Sequence, residues 1–268
     1  MNSYLTLTYF DVLLATGFLI LNGALSLWLN LQLERKLLIA ALRMVVQLLL
    51  VGMLLKSLFS ILSPWLTLLV AMAMVLFAGR EIWARQDRRL RGFWGYGLGA
   101  GAMGFAGAGV TVIALTTMVG PDPWWTPRYA LPMLGMILGN TMTGVSLAQD
   151  TLHGAAARER VAIEARILLG ANRMEAMLPV VRRALRAGFM PIINGMAATG
   201  IVSLPGMMTG QILSGVDPNE AVKYQLLIMF LIAGATGLGV LLATFGSIWR
   251  LSDSRHRLRL DRLTKPKG

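Results

Sequence analysis

Apolar residues gather in seven long runs, at roughly 9–30, 37–55, 58–78, 93–119, 129–149, 188–213 and 223–249. Each comes close to or exceeds the roughly 20 residues that a helix needs to cross a hydrocarbon core of about 30 Å. The pattern predicts an all-α, polytopic membrane protein of seven transmembrane helices, forming one permease domain over 1–268. The first run has no basic leader and no convincing small-residue cleavage site, so it is expected to remain as a span. The longest interval between runs, 150–187, has its own helical period. Val161, Ala165 and Leu168 recur on one face, and so, after the turn signal Gly170-Ala171-Asn172, do Met174, Met177 or Leu178, Val181 and Leu185. Two short amphipathic helices joined at Gly170 are expected there.

Composition agrees with this picture. Of 268 residues, 56% are hydrophobic and 14% charged, too few charges to cover a soluble domain of this length. The net charge of +12 would suggest nucleic acid in a soluble protein, but here the cations stand between and after the apolar runs. Arg35 and Lys36, the arginines of 80–91, those of 158–186 and the basic tail 250–268 fall on alternate connections. The opposite connections hold Lys56, Arg128 and Lys223. By the positive-inside rule the N-terminus is outside and the C-terminus cytoplasmic. The composition of Thr264–Gly268 suggests no fixed structure.

The chemistry available is narrow. Cysteine is absent, and both histidines, His153 and His256, lie outside the apolar runs. No nucleophile–base pair and no metal constellation emerges, so an enzyme is not expected. No Gly-x-x-x-x-Gly-Lys-Ser/Thr phosphate loop is present, so any ATP and magnesium belong to a separate subunit. This chain is expected to bind no cofactor of its own.

Polar groups inside apolar runs are costly and ask for a reason. Asn140, Thr143 and Ser146 are spaced i, i+3, i+6 and are expected to form a polar edge on the fifth span. The sixth carries Asn194, Ser203, Met207, Met208 and Gln211. Together these residues are candidates to line a substrate path. Pro205 is expected to kink the sixth span, with Gly206 and Gly210 completing a hinge. Met133, Met136, Met142, Met207 and Met208 lie beside these polar groups; packing is their default role, and thioethers are also soft ligands. The pairs Gly95/Gly99, Gly97/Gly101 and Gly135/Gly139 have the spacing of close helix contacts.

Glu164-Ala165, Gly170 and Leu178-Pro179 resemble the "EAA…G…LP" loop with which ABC-transporter permeases dock on their ATPase, although the interval from Gly170 to Leu178 is shorter. Two readings stay open for this segment: a basic amphipathic hairpin on anionic lipid, or a docking element.

Pro132-Met-Leu-Gly-Met-Ile-Leu-Gly-Asn140-Thr-Met, the stretch Ser203-Leu-Pro-Gly-Met-Met-Thr-Gly-Gln-Ile-Leu-Ser-Gly215, and Pro218-x-x-Ala221-x-Lys223-Tyr224-Gln225 resemble the FetB-type permease family of bacterial iron exporters and plant aluminium-tolerance proteins. The resemblance runs over nearly the whole chain. It implies a homodimer of permease subunits paired with two ATP-binding subunits of FetA type, export of iron or another metal ion, and resistance to peroxide stress. It assigns no substrate-contacting residues and no metal ligands. A non-metal small solute as cargo, and a partner-free channel or secondary carrier, are the alternatives.

Overall fold

The computed structural model describes residues 8–253 and 255–266. Lys267 and Gly268 of the expected tail, and the side chain of Lys56, lie outside the described residues. Among those described the chain is helical: α1 (Tyr9–Trp28), α2 (Glu34–Ser60), α3 (Pro64–Arg85), α4 (Phe93–Ile113), a π-helical extension of α4 (Ala114–Val119), α5 (Pro127–Arg158), α6 (Arg160–Leu168), α7 (Arg173–Ala198), α8 (Gly206–Leu213) and α9 (Pro218–Leu251). Several starts were written locally. Ser63-Pro64, Thr126-Pro127 and Asp217-Pro218 each set a polar residue at the N-cap and proline at the first helical position, where its missing N–H costs nothing.

Six described helices are long and apolar enough to cross a membrane: α1, α2 (over Glu34–Leu55), α3, α4 with its extension, α5 and α9. The expected sixth span differs. The run 188–213 is not one helix but the second half of α7, an irregular stretch at 199–205, and the short α8. Pro205 therefore kinks nothing: it is the N-cap of α8, outside any helix. Hydropathy averages over a window and is blind to such a backbone break. Of the two short helices expected within 150–187, the first corresponds to α6 and the second is redrawn. Residues 150–158 belong to α5, and the second expected helix is the start of the 26-residue α7.

Contacts divide the chain into two units, 1–62 and 63–268. In the first, α1 and α2 form a hairpin. Ser26 Oγ donates to Glu34 Oε2 at 2.8 Å and accepts from the Leu33 N–H at 3.0 Å. Ser26 is the one described side chain of this hairpin's α1 that is buried.

In the second unit α5 packs against α3, α4, α7 and α9, and α9 also meets α4, α7 and α8. One core cluster joins Met133, Ile137, Ile192, Ile228 and Ile232; another joins Leu152, Ala156, Met177, Val181 and Leu251. These two clusters make α7 antiparallel to α5. In lipid, helices associate by close packing rather than by expelling water, so small residues matter most where backbones meet. That place is Gly144 on α5 and Gly188 on α7. A Cβ on either would stand 2.8–2.9 Å from the other's carbonyl oxygen, with Val240 of α9 closing the third side. The expected Gly135/Gly139 pair does not serve this role, since Gly139 faces open space; of the α4 glycines, Gly95 and Gly99 are crowded and Gly101 is not.

Buried polar groups link the helices at one end of this unit. Gln86 Nε2, at the end of α3, donates to Gln149 Oε1 at 2.8 Å, and Gln149 Nε2 donates to Ser247 Oγ at 3.5 Å. His153 Nδ1 stands 3.1 Å from the Arg88 carbonyl, to which it donates.

Residues 252–253 and 255–266 fold back over the end of α9. The Arg91 N–H donates to the Arg262 carbonyl and the Thr264 N–H to the Arg89 carbonyl, both at 2.8 Å, and Leu263 is buried in the core. A pair of apolar anchors, Leu90 and Leu263, holds the chain just ahead of the segment 264–268, whose composition suggests a free end.

Candidate functional site

α6 and the start of α7 form a rigid corner. α6 stops in a Schellman motif: the Ala171 N–H donates to the Arg166 carbonyl at 3.1 Å and the Gly170 N–H to the Ile167 carbonyl at 3.0 Å. Gly170 has φ +96°, the left-handed conformation this motif needs and side chains resist. α7 then opens in a capping box. Asn172 Oδ1 accepts from the N–H groups of Met174 and Glu175, and Glu175 Oε2 accepts from the Asn172 N–H, all at 2.9–3.0 Å. Arg166 Nη1 donates to the Ala176 carbonyl, tying the two helices. Arg183 of α7 pairs with Glu159, which joins α5 to α6.

The faces of α6 are the informative part. Ile163 is buried and Ile167 packs beside it in the core. Val161, Leu168 and Leu169 are 80–89% exposed, and Ala165 lies on the same open side. The apolar face expected from periodicity, Val161-Ala165-Leu168, is thus uncovered, and Ile163-Ile167 is the packed one. Glu164 is half-exposed and accepts from Arg160 Nε at 2.8 Å. Leu178 and Pro179 are exposed on α7, next to the buried Met177, so of the two alternatives Met177 faces the core.

Along α5 the three polar candidates part company. Asn140 is exposed and Thr143 half-exposed, whereas Ser146 is buried. The reason is helical pitch: steps of three drift, so six residues carry Ser146 about 120° round from Asn140. All three donate back to their own helix. Asn140 Nδ2 donates to the Met136 carbonyl at 2.9 Å, Thr143 Oγ1 to the Gly139 carbonyl at 3.1 Å and Ser146 Oγ to the Met142 carbonyl at 2.9 Å. The amide oxygen of Asn140 has no bond spent on it and stands on the open face of α5 beside Gly139 and Leu147. Asn194 is exposed on α7. Met133, Met136 and Met207 pack into one core cluster and Met142 against another.

The break between α7 and α8 lies toward the start of α5. Ala198 is ten residues, about 15 Å, beyond Gly188, while Pro127 is about 26 Å from Gly144. Ser203 Oγ donates to the Ala198 carbonyl at 3.5 Å, and the Gly200 N–H to the Ser203 carbonyl at 2.9 Å. Ile201 is 94% exposed and Val202 82%. α8, with Gly206, Met208 and Gly210, buries none of its residues, and Gln211 Oε1 is shielded there without a partner. Sequence reading missed three features: Pro191 inside α7, the Gln86–Gln149–Ser247 chain and the anchoring of the tail. Gln86 at the end of α3 and Gln149 within α5 were visible as polar, but Gln149 stands 63 residues from Gln86 and 98 from Ser247 in sequence.

Among the described residues no group of three His, Asp or Glu side chains could hold a metal ion. No solved structure matches the chain. A model of the uncharacterised protein family UPF0014 matches residues 9–251. A UPF0014 membrane protein of Synechocystis is 36% identical over 257 residues, covering 96% of this chain and 98% of the relative. The Escherichia coli protein named "Probable iron export permease protein FetB" is 30% identical over 236 residues, 88% of this chain and 89% of its own length. The rice UPF0014 membrane protein STAR2 is 33% identical over 232 residues, 86% of this chain and 79% of its own length.

Proposed function

We propose that this chain, which belongs to the UPF0014 family of membrane permeases, is the membrane subunit of an ABC exporter that carries iron or another metal ion out of the bacterial cytoplasm. It would have its N-terminus outside and its C-terminus inside. α7 and α8 together would make the sixth of seven crossings. ATP would be hydrolysed by a separate subunit of FetA type, with two permease and two ATPase copies in the assembly, and the physiological effect would be resistance to metal and peroxide stress.

The observation that carries this reading is the uncovered face of α6. Val161, Ala165, Leu168 and Leu169 are exposed on a helix whose other face is locked into the core. An apolar face held rigidly at a protein surface has the character of a docking site. The corner also stands at the foot of α7, which runs without interruption to the break at 199–205. A tilt imposed at Gly170–Leu178 would move the far end of the same rod. The break then supplies two arrangements of α8 against α9, as alternating access requires. Asn140, Thr143 and Asn194 are the polar groups available to a cargo on the open faces of α5 and α7. Ser146, buried and bonded to its own helix, is less suited. A rival reading lays the face of α6 on anionic lipid, and the same exposed leucines favour it.

The test uses the chain and its ATPase partner in proteoliposomes. Leu168→Asp should abolish co-purification and ATPase stimulation, and Gly170→Trp should do the same. Unchanged stimulation in both variants would sink the docking role and leave α6 on lipid. Metal flux from the permease alone would instead identify a partner-free channel or carrier. ATP-driven uptake of iron into inverted vesicles tests the cargo.

A further inference from the structure

Where α9 ends, the chain builds a cationic cavity outside the path proposed for a cargo. Arg173 from the start of α7, Trp249, Arg250 and Ser252 from the end of α9, and His256 and Arg262 from the returning tail surround a space of about 560 Å³. That volume suits a small polar headgroup. The guanidiniums of Arg173, Arg250 and Arg262 make no ion pair among the described residues. Arg173 Nη1 reaches only Ser252 Oγ at 3.5 Å, and Arg262 Nη1 donates to the carbonyls of Arg250 at 2.6 Å and Ser252 at 3.4 Å. Arg250 lies over the Trp94 ring, 5.2 Å from its centroid. The one carboxylate on the wall, Asp253, is already engaged. It accepts from Arg257 Nε at 2.7 Å and from the N–H groups of Arg255 and Arg257 at 3.0 and 2.9 Å. The cavity thus keeps a surplus of positive charge with donors still open.

Three guanidiniums around one space match the several oxygens of a phosphate. The surroundings favour a lipid as its carrier. Trp94 and Trp249 meet at an interplanar angle of 57° with centroids 5.8 Å apart and are 40% and 56% exposed, an indole pair of the kind that marks a membrane–water boundary. We propose that this cavity binds the phosphate of an anionic phospholipid headgroup, held by Arg173 and Arg250 with the acyl chains passing over Trp94 and Trp249. The lipid bridges the first turn of α7 to the last turn of α9. Basic pockets at helix ends are known to take anionic headgroups in this way. That the leaflet is the inner one rests on the orientation proposed above; the site itself does not.

The experiment is native mass spectrometry of the full chain released from detergent, titrated in separate arms with phosphatidylglycerol, phosphatidylcholine and inorganic phosphate. One phosphatidylglycerol should be retained in preference to phosphatidylcholine. Arg173→Gln combined with Arg250→Gln should weaken that retention at least tenfold, Arg250→Lys only a few-fold, and Arg182→Gln, which removes an equal charge elsewhere on α7, not at all. Equal retention by wild type and the double variant overturns the site. Inorganic phosphate bound without any lipid preference, and lost in the double variant, overturns the lipid as carrier. Because the reading needs neither ATP nor cargo, its failure and a failure of the transport proposal are separately visible.

Discussion

The two ends of α7 are built differently. At Arg173 a left-handed glycine, a reciprocal capping box and the Arg166–Ala176 hydrogen bond hold the helix, and Met177 and Val181 are buried beneath it. At Ala198 the helix stops, the chain exposes Ile201 and Val202 almost completely, and the residues of the following α8 are at most half-buried. Local stability follows buried contacts and satisfied backbone groups, so the first end should open rarely and the second often. The coupling role proposed for α7 asks for this asymmetry: a firm grip where force would enter and a compliant joint where it would leave.

The strongest challenge to the comparison cuts the rod from its support. Gly188→Leu drives a side chain into the Gly144 backbone, and overpacking of this kind should cost about 3 kcal/mol. A large fall in the detergent unfolding temperature is expected; a wild-type value would mean that α7 does not rest on α5. Gly170→Val acts on the firm end alone. Holding valine at φ +96° should cost roughly 1–3 kcal/mol. Hydrogen exchange should then quicken in residues 166–175 while the core of α9 stays protected, and exchange that quickens everywhere would show that the corner is not a separate element. Pro205→Ala should be the mildest, within about 0.5 kcal/mol, because the proline caps α8 from outside the helix. Marked stabilisation by this change would instead indicate a continuous helix strained by proline, and the joint at 199–205 would be lost.

Much of the corner could be read in advance. Gly170-Ala171-Asn172 followed by Glu175 carries both the stop of one helix and the cap of the next in a few adjacent residues. Which face of α6 looks inward could not, because Val161, Ala162, Ile163, Ala165, Ile167 and Leu168 make the helix apolar nearly all round. A periodicity argument has no preferred direction in such a segment. On α5 the residues Asn140, Thr143 and Ser146 were visible as polar and helical pitch spreads them round the helix, but which of them is buried depends on which neighbours surround it.

The sequence by itself determined the membrane class, the long helices, their proline-marked starts and the turn at Gly170, since each of these rests on hydropathy or on backbone preferences of neighbouring residues. Only the tertiary structure decided that the run 188–213 is broken, that Gly144 meets Gly188 rather than Gly135 meeting Gly139, that Leu263 anchors the tail, and that the outer face of α6 is bare. Those outcomes depend on contacts between residues far apart in the chain, and no local pattern of apolar and polar positions contains them.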